Sequence, residues 1–159
     1  MAVAGTEPEE VVDATPVQIT DAADFDPEGG DGEHSEESQL AFDGDSETAW
    51  TTEDYETADY NGKSGVGLYV EAARPVAPAA IEITTPDPGW SMTLYGANEP
   101  SESLEDWTEL EQVESIGDTE RLVFDDPDRT FRYFLVWSTS PTETEDGFGA
   151  SIAEVEVSG

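Results

Sequence analysis

Apolar residues in this chain recur at every second position in short runs, and glycine, proline and aspartate interrupt them at roughly ten-residue spacings. No stretch sustains the period of a long helix, and no internal repeat is present. A chain patterned in this way closes a core by stacking sheets. Val66–Glu71, Ala80–Thr85 and Thr119–Phe124 read as half-buried strands, and Trp90, Met92 and Leu94 share one face of another. Phe131–Trp137 (FRYFLVW) is apolar on both faces, which predicts a central strand covered on both sides. About eight antiparallel strands in a β-sandwich or jelly roll is the expected fold, all-β in class.

The remaining segments are less regular. Residues 1–16 read as an acidic tail or linker, and 17–158 as the folded domain. Val17–Thr20 is a short strand, Asp21–Phe25 a single helical turn, and Asp26–Glu37 a loop with three glycines and a proline. Ala49–Thr52 enters the fold as a strand. Asp59–Gly65 and Pro86–Gly89 are turns, and Ser101–Trp107 has the acidic first turn of a short helix. In the closing strand, Ala150–Val157, Ile152 is out of phase with Val155 and Val157. Period two cannot place all three on one face, so a bulge near Ala153–Glu154 is expected.

The charge excludes some partners. The chain has 159 residues with 39 Asp and Glu against 5 Lys and Arg, for a formal net charge of −34. Nothing here neutralises phosphates, so nucleic acid is excluded, and anionic membrane surfaces are disfavoured. Such a surface repels itself in dilute buffer, whereas at ~1 M salt the screening length falls to ~3 Å. An acidic surface of this kind is expected of a salt-adapted, halophilic protein. There are no cysteines, hence no disulfide framework. No run of 18 apolar residues and no apolar signal core is present, so direct membrane insertion is not expected. The acidic start is compatible with a domain cut from a larger secreted or membrane-anchored protein.

Leu40–Tyr55 (LAFDGDSETAWTTEDY) packs Asp43, Asp45 and Glu47 around an Asp-Gly turn that runs into Trp50. The density of oxygen donors reads either as a structural cation site or as an ordinary turn with a solvated acidic face. A second acidic stretch, Asp24–Ser35, imitates the start of an EF-hand loop, but Ser35 stands where the closing glutamate belongs. It reads as loop. Trp50, Trp137, Phe134 and Leu135 read as core. Trp90, after Pro88-Gly89, either begins a core strand or stacks on a ligand at a loop tip.

In order along the chain, FDGDSETAWTT, GVGLYV, ITTPDPGWSMTLYGANEP, RTFRYFLVWSTSP and GASIAEVEV resemble the discoidin or coagulation-factor type C domain of the galactose-binding-like superfamily. The resemblance covers about residues 17–158, and it implies a jelly-roll sandwich. The details look most like modules carried outside the membrane on bacterial proteins, some of which follow a kinase-like region and a membrane span. The resemblance also implies a structural Ca²⁺ site. Its ligands would be the carbonyl oxygens of Phe42, Thr48 and Ala153 and the side chains of Asp45, Thr48 and Glu154, with Asp43 as a further contributor. Family members that bind sugars use loops at one end of the sandwich, often through Arg, His or an aromatic ring. The corresponding candidates are Tyr55, Tyr60, Asn61, Lys63, Trp90 and Phe148. Among them Lys63 alone is basic, and His34 sits in the acidic segment, so the usual basic donors are missing from these loops.

Catalytic signatures are absent from the sequence. His34 is the single histidine and no Gly-x-Ser-x-Gly elbow accompanies it. No phosphate loop, zinc motif or dinucleotide fingerprint occurs, so an enzyme is not expected. The expected role is a non-catalytic extracellular module that binds glycan, monomeric as an isolated domain. The alternative is a structural or sensor domain that contacts extracellular protein.

Overall fold

The computed structural model describes residues 15–27, 34–45, 47–52, 54–126, 128–144 and 147–159. Thirteen strands are assigned among them: β1 (Pro16–Val17), β2 (Ile19–Phe25), β3 (Trp50–Thr51), β4 (Val66–Val76), β5 (Ala80–Thr84), β6 (Ser91–Ala97), β7 (Thr108–Val113), β8 (Thr119–Val123), β9 (Phe131–Ser140), β10 (Thr142–Thr144), β11 (Gly147–Gly149), β12 (Ser151–Ile152) and β13 (Glu154–Ser158). Two antiparallel sheets carry the architecture, in the orders β2-β4-β9-β6-β7 and β1-β13-β5-β8.

The FRYFLVW run explains the layering. β9 sits in the middle of the five-stranded sheet, between β4 and β6. Its Phe134 and Val136 point into the sandwich and meet Leu68, Val70, Met92 and Leu94 of the same sheet. They pack on Ile81, Ile83, Val155 and Val157 of the other. Its Leu135 and Trp137 point the opposite way, into a separate cluster with Phe25, Ala97 and Trp107. A strand apolar on both faces is therefore covered on both faces.

The structure corrects three local expectations. Asp21–Phe25 continues β2 and pairs with β4, Ala22 opposite Val70 and Phe25 opposite Gly67. Local preference for a turn yields to a ladder with a buried neighbour. Ser101–Trp107 forms only a 3-10 turn, Leu104–Asp106, with the Trp107 ring N–H donating to the Ser101 carbonyl. The break at Ala153 is more than a bulge. Ser151–Ile152 pairs with β3, and the chain then crosses so that Glu154–Ser158 pairs with β5. The crossing lets Ile152, Val155 and Val157 all be buried despite their mismatched parity.

Three further strands, β7 and the two of the β10–β11 hairpin, carry little alternation and were not predicted. Ser35–Glu37, expected as loop, begins a 3-10 segment that runs to Phe42. Thr15 and Gly159 exchange backbone hydrogen bonds at 3.1 and 2.8 Å, and Pro16 pairs with Ser158. Residues 15 and 16 thus belong to the sheet rather than to the tail, while residues 1–14 lie outside the described residues.

Candidate functional site

The loops after β2, β3 and β5 meet the β10–β11 hairpin at one end of the sandwich. They enclose a cleft of about 350 Å³ lined by His34, Thr51, Thr52, Asp54, Asp87 and Thr144. Each wall is fixed by the fold. Thr52 donates its backbone N–H to the Ala150 carbonyl at 3.0 Å and accepts the Ala150 N–H on its hydroxyl at 3.1 Å. Asp87 leaves the β5 turn with its N–H on the Thr85 hydroxyl, and its carboxylate accepts the Ser151 hydroxyl at 2.9 Å. His34 lies in the left-handed region (φ 56°), with Nδ1 2.8 Å from the Thr51 carbonyl. Since a carbonyl only accepts, Nδ1 carries the proton there, and Nε2 is the acceptor in the neutral ring. The cleft is therefore a polar, acid-edged recess that can both donate and accept hydrogen bonds.

Most of the residues predicted to line such a recess lie beneath it. Tyr55 and Tyr60 are 5% and 0% exposed and form a satellite core with Val66, their rings edge to face at 4.9 Å. The Tyr60 hydroxyl is hydrogen-bonded to Ser138. Lys63 donates to Asp26 at 3.0 Å and to the Tyr55 hydroxyl at 2.9 Å. Trp90 is fully buried, its ring N–H directed at the Thr85 hydroxyl. Burying a large ring with its polar tip satisfied outweighs leaving it at a loop tip. These four side chains hold the loops from below and offer no stacking face. Phe148 is half-buried against the satellite core, and the side chain of Asn61 falls outside the described residues. Gly147 is required here, because a Cβ would stand 2.6 Å from the Tyr55 carbonyl where Tyr55 and Phe148 pair.

The Asp-Gly loop lies elsewhere, against the last strand. The Gly44 N–H donates to Glu154 Oε2 at 2.9 Å, across 110 residues of sequence. Asp43 accepts the Thr48 hydroxyl at 2.6 Å and the Asp45 N–H at 3.0 Å, and these bonds hold its carboxyl below the usual range. Glu154, 9% exposed, is pushed up to about 7, first by burial and then by sharing a hydrogen bond with Asp43. Two carboxylates thus face each other with Phe42 and Ala153 beside them in the chain. No group of three or more His, Cys, Asp or Glu side chains converges among the described residues. A calcium ion here would take its remaining ligands from carbonyl and hydroxyl oxygens, which suits a hard cation. The facing carboxylates fit that ion. Of the EF-hand-like stretch, Glu28 and Gly29 lie outside the described residues, and Asp26 is committed to Lys63.

No family model and no curated protein sequence matches the chain. Solved structures do. The CBM32 module of AlyQ in complex with 4,5-unsaturated mannuronic acid aligns over 90% of this chain and 97% of its own, at TM-score 0.65 and 12% identity. The fold is galactose-binding-like. The family 32 carbohydrate-binding module of C. perfringens NanJ in complex with galactose shares it at TM-score 0.62 and 20% identity, over 92% of this chain and 99% of that one. So does chitosan-binding module 1 from the chitosanase/glucanase of Paenibacillus sp. IK-5, at TM-score 0.61 and 25% identity, covering 87% and 94%.

Within this galactose-binding-like sandwich, the side chains that line the end cleft are not the ones expected from the sequence. Thr51, Thr52, Asp54, Asp87 and Thr144 carry no signal among so many threonines and acids. His34 stood out as the single histidine, yet nothing local in the sequence pairs it with Thr51, 17 positions on.

Proposed function

We propose that this chain is a non-catalytic carbohydrate-binding module that holds a neutral or amino-sugar glycan in the cleft formed by His34, Thr51, Thr52, Asp54, Asp87 and Thr144. The carrying observation is that polar cleft, at the loop end of a fold whose solved neighbours include galactose- and chitosan-binding modules. Its two carboxylates disfavour uronic acids and suit hydroxyl or ammonium donors. The module belongs outside the cytoplasm, within a larger protein, where polymeric glycan is met. No helix among the described residues is long and apolar enough to cross a membrane. Calcium at Asp43, Asp45, Thr48 and Glu154 would tie the early loop to the last strand, and the acidic surface suits high salt. The unfolding midpoint should accordingly climb between millimolar and molar KCl, as repulsion is screened.

The test is an NMR or calorimetric titration in molar KCl with galactose-, glucosamine- and galacturonate-based oligosaccharides. Binding that perturbs His34 and Thr144 and is lost in Asp87→Ala supports the assignment. If no sugar moves these residues, the cleft is not a sugar site. A second reading, an extracytoplasmic interaction domain without a sugar ligand, is favoured by the burial of Tyr55, Tyr60 and Trp90. A flat response to every sugar would select it.

A further inference from the structure

The outer face of the five-stranded sheet does not look like a solvated face. An antiparallel sheet packed on one side usually turns polar side chains outward on the other. Here Phe25, Trp107, Leu135 and Trp137 are buried on the outer side, and Tyr69, Tyr95 and Tyr133 lie half-buried over them. The turn before β7, pinned by the Trp107–Ser101 hydrogen bond, accounts for the burial of Trp107 and of the Phe25 ring against it. It leaves the three tyrosines partly open.

Their placement is set by register. Leu135 of β9 pairs with Tyr69 on one side and Tyr95 on the other. The two tyrosines therefore stand two strand spacings apart, roughly 9.6 Å, in one row across the sheet. Tyr133 lies on the same face two residues along β9, its ring 6.0 Å from that of Tyr69. On the β2 side, a groove of about 170 Å³ between Asp24, Phe25, Tyr69 and Ser101 prolongs the row. Two half-open aromatic rings set in one row at this separation suit a ligand that repeats, and the apolar faces of an extended β-linked sugar chain repeat.

Charge selects which chain. Asp21 and Glu71 lie across from one another beside Tyr69, and Glu109 is opposite Tyr95. Burial, followed by Tyr133 and the carboxylates of Asp21, Asp24 and Glu71, holds the Tyr69 hydroxyl above the usual phenol range, so it remains a donor. Arg132 is the basic residue at this face, and its guanidinium is committed to Glu71 at 3.1 Å. A uronate polymer would be repelled, as would a second copy of a chain with net charge −34. Protonated amines on a sugar chain would be drawn in, with the ammonium groups also favoured near tyrosine faces. We propose that this face is a second glycan-binding surface, separate from the end cleft, on which Tyr69 and Tyr95 stack against alternate residues of a β-linked polyglucosamine chain.

The experiment titrates the intact protein with a glucosamine hexamer at mildly acidic pH in ~1 M KCl, where diffuse attraction is screened. The fully N-acetylated hexamer and hexalysine serve as comparisons. Ring resonances of Tyr69 and Tyr95 should shift with the glucosamine hexamer and not with hexalysine. Tyr69→Ala and Tyr95→Ala should each weaken this binding by roughly five- to tenfold. Tyr69→Phe should retain most of it, and Asp87→Ala in the end cleft should leave the tyrosine shifts intact. Should an alanine variant fail to fold, the wild-type ring shifts decide alone. Still tyrosine resonances, equal shifts with hexalysine, or stronger binding of the N-acetylated hexamer would each overturn the proposal. Hexamer binding that is lost in Asp87→Ala with the tyrosines silent would overturn it while leaving the end cleft as a sugar site.

Discussion

The carboxylates of Asp26 and Glu154 are both buried, and their surroundings are opposite. The Asp26 side chain is 4% exposed and lies 3.0 Å from the ammonium of Lys63, the only lysine in the chain. Glu154, 9% exposed, faces Asp43 and accepts the backbone N–H of Gly44 at 2.9 Å. A charge taken out of water is tolerated when a counter-charge goes with it; otherwise the group keeps its proton. The chain thus spends its lysine on the loop that underlies the cleft. At the junction of early loop and last strand it leaves Asp43 and Glu154 facing each other, the pair proposed above to hold calcium.

The largest effect should come from breaking the compensated pair. Lys63→Met leaves Asp26 buried without its partner and should cost about 3–5 kcal/mol in chemical denaturation. Adding Asp26→Asn to that variant should restore much of the loss, because the stranded charge is gone. If the single variant unfolds like wild type, the ion pair has no structural weight.

A smaller effect tests the uncompensated pair. Calcium added to chelator-treated protein should stabilise it by about 2.7 kcal/mol at a hundredfold excess over Kd. Glu154→Gln should abolish that gain, and Lys63→Met should preserve it. A calcium response that survives Glu154→Gln places the ion elsewhere.

The same carboxylate should also show in the pH dependence. Glu154 has a folded value of about 7 against 4.5 for the free side chain, so the native state holds the extra proton between those values. Its contribution is fully present below about 4.5 and is lost as pH rises through 7. In calcium-free buffer, wild-type stability should therefore decline over that window more steeply than that of Glu154→Gln. Parallel slopes would show that Glu154 titrates normally.

The same contrast marks what could be read in advance. Glu154 was reachable because the Asp-Gly loop and the closing strand are each distinctive and resemble a known domain in this order. The partner of Lys63 was not legible, because a lone basic residue in a loop gives no hint of the aspartate 37 positions earlier that accepts it. Tyr55 and Tyr60 turn inward without a sequence signal, and Trp90 takes the core place that was one of its two readings, since an aromatic after a turn reads alike whether its ring points inward or out.

The sequence by itself determined the all-β class, the central strand Phe131–Trp137, the phase conflict around Ala153 and the net charge of −34. All of these are local: they follow from alternation, composition and covalent order. Only the tertiary structure decided that the conflict is resolved by a strand changing sheets, that the single lysine pairs with a buried aspartate, and that three tyrosines share the outer face. Those outcomes depend on which segments become neighbours across the core, and pairing of distant strands is governed by burial summed over the whole sandwich rather than by any stretch of it.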